Sequence, residues 1–500
     1  MDLFNNLILG LSVALEIQNI IFIILGVLWG IVAGAVPGLT AAAGIALVLP
    51  FTFYMESVSA MVFLAGIWTG GMYGGSITAI LMNTPGSIAN IATLLDGYPL
   101  HKKGESGKAL SIALVYSSFA GILTTFLLIL LAEPLANYAL KFGPAEKFAL
   151  TLFGLSAVSS IAGGGNLIKG LISCSLGLMI STIGSDFFTG EERFTGGKDV
   201  LLDGFNIIAI LVGLFAFPEI LKQVANFNYS KNISIKFNYQ FASFKEIVIC
   251  IKSGLIGSFI GMIVGIMPGA GGSIASLIGW SEAKRWSKNK DDFGKGTLEG
   301  VAASESANNA DIQGALVPTL ALGIPGSVSA TLMLSALILH GLRPGPLLFT
   351  QRPDVVYGLF GGLFLSNIFL LIIGFFIIKS AIKIINTNPP FLLSTILIII
   401  VTGVFKINHE IFDIIVALIF GFLGIIMNKY KFSTAALSLG IVLGQLFEIS
   451  FRQALTISSG DPLIFINRPI SLFLIVLSVI TLSYPIIFKK KKKKSRKCYK

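Results

Sequence analysis

Apolar segment follows apolar segment along this chain, and several of them meet at Pro-Gly pairs instead of polar loops. The segments run near 3–17, 20–36, 38–53, 57–82, 107–132, 247–267, 270–280, 298–323, 325–340 and 354–379, and continue to 469–488. Some exceed the roughly 20 residues that cross a bilayer, and others are too short to cross alone. Lipid offers no hydrogen bonds. Broken backbone at membrane depth therefore survives only where protein or a cavity satisfies it. The pattern predicts an all-α polytopic membrane protein with helical hairpins and re-entrant broken helices. Composition agrees: 54% of the 500 residues are apolar and 12% are charged. That charge cannot cover a soluble surface of this size. A soluble multidomain enzyme, a disordered chain and a nucleic-acid binder are excluded. The net charge of +11 comes mostly from the tail, where Lys489 to Lys494, Arg496, Lys497 and Lys500 follow an apolar helix. Such a flank places the C-terminus in the cytoplasm. Cys174, Cys250 and Cys498 suggest neither a disulfide framework nor a metal set. The N-terminus lacks a basic region before its first apolar run, so the first helix is expected to be retained.

The breaks come in pairs. Gly26, Gly30, Gly34, Pro37 and Gly38 recur as Gly257, Gly261, Gly265, Pro268 and Gly269, each shifted by 231. Gly74 to Gly86 (GGSITAILMNTPG) recurs as Gly314 to Gly326 (GALVPTLALGIPG), shifted by 240. Paired Gly/Pro interruptions in two halves of a membrane chain point to a transporter's binding site. Charge bias places Lys102 and Lys288 inside and Glu191 outside, which makes the two halves inverted repeats. We expect a first repeat over 1–230, with a hairpin at 20–53 and a re-entrant segment at 83–100. A second follows over 240–450, with a hairpin at 247–280 and a re-entrant segment at 323–340. Residues 451–500 add a C-terminal span and the basic tail.

Chemistry concentrates at the breaks. Asn83, Thr84, Pro85, Gly86 and Ser87 form one tip; Gly323, Ile324, Pro325, Gly326 and Ser327 form its counterpart. Thr84 is expected to cap a half-helix running toward Leu95, with Pro85 in its first turn. Free N–H groups at such an N-terminus carry partial positive charge and suit a carboxylate. Asn308 is a further substrate-binding candidate. The hairpin tips, with Gly38, Thr40, Gly269 and Ser273, free carbonyls and hydroxyls that suit Na+. Glu305 and Asp311 lie in the most polar stretch of a spanning helix and can carry H+ or neutralise Na+. Glu299 and Glu305 can equally sit partly solvated at the cytoplasmic end of that helix. Asp96, His101, Lys102, Lys103 and Arg343 flank the re-entrant tips. Trp68, Tyr73 and Trp280 read as packing or interface residues. No catalytic residue and no cofactor is expected beyond Na+ or H+ as coupling ion.

The stretch Ala65 to Leu110 (AGIWTGGMYGGSITAILMNTPGSIANIATLLDGYPLHKKGESGKAL) resembles the first signature of the large membrane subunit of tripartite tricarboxylate transporters. A second signature lies between Gly265 and Pro346, with GIMPGAGGSIASLIGWSEAKRWSK, FGKGTLEGVAASESANNADIQGALVPTLALGIPGS and LHGLRPGP. The resemblance is strong from about 20 to 350 and rests on helix layout beyond. It implies a bacterial inner-membrane secondary transporter driven by an H+ or Na+ gradient. It also implies a small membrane subunit and an extracytoplasmic solute-binding protein that delivers a carboxylate. A stand-alone organic-anion symporter is the alternative. An intramembrane enzyme using Glu305 and Asp311 is a remote one, since no nucleophile or Ser/His set accompanies them. An elevator-like movement follows by analogy with other transporters built from paired hairpins.

Overall fold

The structure is a computed structural model that describes residues 3–36, 39–162, 166–225, 240–385 and 389–497. Pro37 and Gly38, the first hairpin tip, lie outside the described residues. Among the described residues the chain is all-α apart from a two-stranded pairing of Gly184–Ser185 with Glu192–Arg193. Ile17–Ala35, Ser106–Ala139, Pro353–Ile378, Ile411–Lys429 and Thr434–Ile457 are long and apolar enough to cross a membrane. The chain forms two compact units. One comprises Met1–Asn137 with Phe215–Glu410, the other Tyr138–Leu214 with Ile411–Lys500.

The first unit is built around two long helices, Ser57–Met82 and Leu298–Leu322, buried along almost their whole length. Neither needs an amphipathic stripe, because other helices wrap it on all sides. Ile17–Ala35 lies along the first and Ile251–Ile266 along the second. Glycines make both crossings close. A Cβ on Gly30 would stand 2.8 Å from Gly71 N, and one on Gly34 would stand 2.8 Å from Gly75 N. A Cβ on Gly261 would stand 2.8 Å from Ala307 Cα, and one on Gly265 would stand 3.0 Å from Ala315 N. Lipid gives packed helices no hydrophobic drive toward each other, so dense backbone contact between small residues has to supply the attraction. The glycine spacing of four that repeats in the sequence is the imprint of these two crossings.

Each of the two flanking helices turns back at its tip. Ile17–Ala35 is followed by Ala41–Thr52, and Ile251–Ile266 by Gly271–Trp286. Thr40 caps its helix by accepting from Ala43 N at 3.1 Å. The second turn needs Gly269 (φ 81) and Gly271 (φ 60), conformations that a side chain would strain. The apolar run over 201–217 is only partly helical. Helix begins only at Ile207, stops at Phe215 and restarts at Phe217. Gly204 (φ 75) and the 3-10 turn Asp199–Leu201 occupy its start, and Pro218 follows the break.

In the second unit, helices Pro144–Ala162, Leu167–Ser181 and Thr434–Ile457 pack together, with Pro469–Lys497 against the first of them. Phe148 meets Phe447, Phe451 and Phe465 at ring-centroid distances of 4.8, 5.1 and 4.8 Å. The loop after Leu167–Ser181 is tied down by charge: Arg452 reaches Asp186 at 2.5 Å and Arg193 reaches Glu448 at 2.7 Å. Arg452, with the N–H groups of Thr189 and Phe188, holds the Asp186 carboxyl well below the usual carboxylate range.

Candidate functional site

The two long helices end alike. Asn83 (φ 56) and Gly323 (φ 72) both adopt the left-handed conformation that closes a helix. Asparagine tolerates this conformation better than other side chains do, which explains a pair that looks unlike in sequence. The backbone then runs past Pro and Gly before helix resumes. Gly86 N donates to Gly75 O at 3.2 Å, and Gly269 N donates to Gly326 O at 2.9 Å. Each tip is thereby pinned, the first to its long helix and the second to the neighbouring hairpin turn.

The structure corrects two expectations at the first tip. Thr84 is exposed and bonds back to Met82 O at 3.2 Å; it caps nothing. Pro85 lies before the helix, not in its first turn. Ser87 is the residue that precedes the 3-10 turn Ile88–Asn90, and the α-helix spans Ile91–Lys102. The cause is the Gly86–Gly75 hydrogen bond, which holds the chain against the long helix for three residues more than the sequence suggests. In the second tip, Ser327 caps Val328–Leu339 by accepting from Ala330 N at 3.2 Å. A Cβ on Gly86 would stand 2.5 Å from Gly34 O and from Gly75 Cα. One on Gly326 would stand 2.6 Å from Gly265 O. Both glycines therefore face protein backbone and let tip, hairpin and long helix converge.

From Ser304 onward, Leu298–Leu322 carries its polar residues fully inside. Ser304, Glu305, Ser306, Asn308, Asn309, Asp311 and Gln313 are all 0% exposed. The solvated placement considered for Glu305 does not hold, whereas Glu299 is partly exposed and accepts from Ser287 Oγ at 2.6 Å. Glu305 accepts hydroxyl bonds from Thr93, on helix Ile91–Lys102, and from Ser117 at 3.1 Å. Thr93 also lies 3.1 Å from Ser304 Oγ. Asn90 belongs to the same web. Its amide donates to Ser76 Oγ at 2.9 Å and to Met72 O at 3.1 Å, and its Oδ1 accepts from Ser87 Oγ at 2.7 Å. Ser276, on the second hairpin, donates to Ala89 O at 2.7 Å. Ser273 lies in the first turn of the same helix, half-buried, and its carbonyl accepts from Ser276 Oγ at 3.2 Å. The first tip thus meets residues from both halves.

Asn308 and Asp311 differ from their neighbours. Neither polar atom of either side chain has a hydrogen-bond partner, although both residues are wholly buried. Buried polar atoms without partners are rare, and a site for ions, water or ligand is a standard reason for them. Trp68 Nε1, Thr69 Oγ1 and Tyr73 OH, on the first long helix, are in the same condition. The aromatic rings pack as the sequence suggested, but their polar ends remain available.

Asp96 is the residue whose importance the sequence concealed. Its Oδ1 accepts the backbone N–H groups of Gly294, Gly296 and Thr297 at 2.8, 3.0 and 3.0 Å. Its Oδ2 accepts Trp280 Nε1 at 2.6 Å. It sits where Leu298–Leu322 begins, the end of a helix that favours negative charge. Gly300 has no side chain, and the Asp96 carboxylate occupies the space this leaves. His101 pairs with Ser106 Oγ at 2.7 Å, while Arg343 is exposed. Among the described residues no cluster of His, Cys, Asp or Glu has the makings of a transition-metal site.

The family model described as the tripartite tricarboxylate transporter TctA family matches residues 20–439. This chain belongs to that family. The match runs well past residue 350, into the region where only helix layout carried the resemblance. A relative from Agrobacterium vitis is 38% identical over 480 residues, covering 96% of this chain and 95% of its own length. It is described as an uncharacterized 52.8 kDa protein in the TAR-I ttuC' 3'region. A second, described as an uncharacterized protein in the TAR-II ttuC' 3'region of the same organism, is 36% identical over 220 residues. That alignment covers 44% of this chain and 91% of the relative. No solved structure matches. As a TctA protein, the chain is a membrane component of a tricarboxylate-type transporter, and every site described above lies inside the matched span.

Proposed function

We propose that this TctA protein is the permease subunit of a binding-protein-dependent secondary transporter that imports carboxylates by Na+ or H+ symport. Its setting is the bacterial inner membrane, with the C-terminus in the cytoplasm. A small membrane subunit and an extracytoplasmic solute-binding protein complete the system. The observation that carries the reading is the pair of broken helices with buried, unpartnered polar groups beside them. In this reading Asn83 to Ser87 and Gly323 to Ser327 cradle the carboxylates with backbone N–H groups, joined by Asn308. The hairpin tips with Thr40, Gly269 and Ser273, and the carboxylates Glu305 and Asp311, serve the coupling ions. Gly38 belongs to this set from the sequence alone.

Energetics favours symport. A di- or tricarboxylate carries roughly two to three negative charges at neutral pH. Moving each of them inward against an inside-negative potential costs about 2.3 kcal/mol per 100 mV. Co-transported cations remove that cost. The halves act as inverted repeats in this account, and the hairpins move as a body in an elevator-like cycle. Cysteines placed at 102, 191 and 288 test the inversion: impermeant reagent should label 191 from outside and leave the other two untouched.

The decisive experiment is uptake of labelled di- and tricarboxylates into proteoliposomes holding both membrane subunits. Uptake should appear only when the solute-binding protein is added. Uptake by this chain alone would favour a stand-alone symporter.

A further inference from the structure

The two halves of the first unit pack alike, yet at one place their side chains are exchanged. Gly71 of the first long helix corresponds to Asp311 of the second at the offset of 240. Ala41 of the first hairpin corresponds to Gly272 of the second at the offset of 231. In the first half, Ala41 fills the gap: its Cβ lies 2.6 Å from where a Gly71 Cβ would stand. In the second half, glycine is on the hairpin and the carboxylate is on the long helix. A Cβ on Gly272 would stand 2.7 Å from Asn308 Oδ1 and 3.5 Å from Asp311 Oδ2. Two oxygens converge on one hairpin residue, and a single methyl group would fill the space between them.

Resting on the transport reading above, we infer that Asp311 and Asn308, given room by Gly272, form a Na+ site in the second half, and that the first half has no counterpart. Three observations support it. Asn308 and Asp311 are one turn apart and could bond each other, but none of their four polar atoms does. Asp311 Oδ2 lies 3.5 Å from the Gly272 Cβ position, and neither Asp311 oxygen has a hydrogen-bond partner. The turn beside them is broken by Gly269 and Gly271, so helical bonding does not consume its carbonyls in the regular way. A carboxylate and an amide oxygen at a broken turn are ligands for a hard cation. Amide oxygen is a poor proton acceptor, which makes the pair suit Na+ better than H+. Glu305 does not compete, since the hydroxyls of Thr93 and Ser117 already take up its carboxylate. The first re-entrant tip closes on the same place. Ala89 Cβ lies 3.2 Å from the Gly272 Cβ position, and Ala89 O accepts from Ser276. Na+ bound here would steady the tip that carries Ser87, which is how ion and carboxylate become coupled.

The test is direct and uses the full-length protein purified in detergent, with neither substrate nor partner present. The unfolding midpoint is followed as Na+ replaces choline at constant ionic strength. A ligand that binds only the folded state raises it saturably. Wild type should show the rise. Asp311→Asn, Asn308→Ala and Gly272→Ala should lose it. The pair Gly272→Ala with Asp311→Gly gives the second half a packing close to that of the first, so it should fold and still lack the response. A rise retained in Asp311→Asn, or no rise in wild type, would overturn the assignment. None of these readouts depends on carboxylate transport, so failure here is separable from failure of the function proposed above.

Discussion

The first and second halves of the larger unit share a scaffold and divide the chemistry. Both run a glycine-lined helix along a buried one, and both end the buried helix with a left-handed residue and a Pro-Gly-Ser tip. The first long helix offers its tip indole, hydroxyl and phenol groups at Trp68, Thr69 and Tyr73. The second offers two carboxylates and two asparagines, all without exposure. Scaffold and chemistry therefore follow different rules. Close backbone crossings demand glycine in both halves, whereas an ion site needs only one carboxylate, and one half supplies it.

Three sets of substitutions sharpen this contrast. The largest effect belongs to Asp96, which ties helix Ile91–Lys102 to helix Gly271–Trp286 and has only Ala336 at the corresponding position. Asp96→Ala leaves three backbone N–H groups and one indole without their acceptor. Hydrogen bonds to a charged group contribute about 1.5–3 kcal/mol each, so a loss of at least about 3 kcal/mol is expected. Thermal unfolding in detergent measures it, and an unchanged midpoint would show the tie to be idle.

Next come the crossings. Gly30→Ala and Gly261→Ala each press a methyl into backbone or a neighbouring methyl. Overpacking of this kind costs about 1–3 kcal/mol. The two variants should lose similar stability by the same assay. A large effect in one half alone would break the idea of a common scaffold.

The smallest effect separates the tips. Ser327→Ala removes a true N-cap and should cost about 1 kcal/mol. Ser87→Ala removes a bond to Asn90 and no cap, so its cost should be smaller. Equal losses in paired unfolding curves would mean that the two tips are held alike.

Much of this was legible in the sequence. The helix-rich fold followed from apolar lengths. The paired tips were visible because backbone geometry restricts residue type. Pro85 and Pro325 cannot continue the helices that precede them, and Gly86 and Gly326 have no room for a side chain. What stayed hidden were relations between distant residues. Asp96 read only as a residue flanking a tip, and three N–H groups some 200 residues later close around it. The start of the helix moved from Thr84 to beyond Ser87 because of a hydrogen bond from Gly86 to Gly75, which no local preference encodes. The exchange of Ala41 with Gly71 for Gly272 with Asp311 is written in the two offsets, but it acquires meaning only when the contacts are seen.

The claim that the second half carries the ion chemistry on a scaffold common to both is tested most directly by driven uptake. Proteoliposomes with both membrane subunits and the solute-binding protein would receive an imposed Na+ gradient, then separately a pH gradient. Carboxylate uptake is measured in wild type and Asp311→Asn. Na+-driven uptake is predicted in wild type, and none in Asp311→Asn. Uptake driven by the pH gradient alone, or Na+-driven uptake that survives in Asp311→Asn, would contradict the claim.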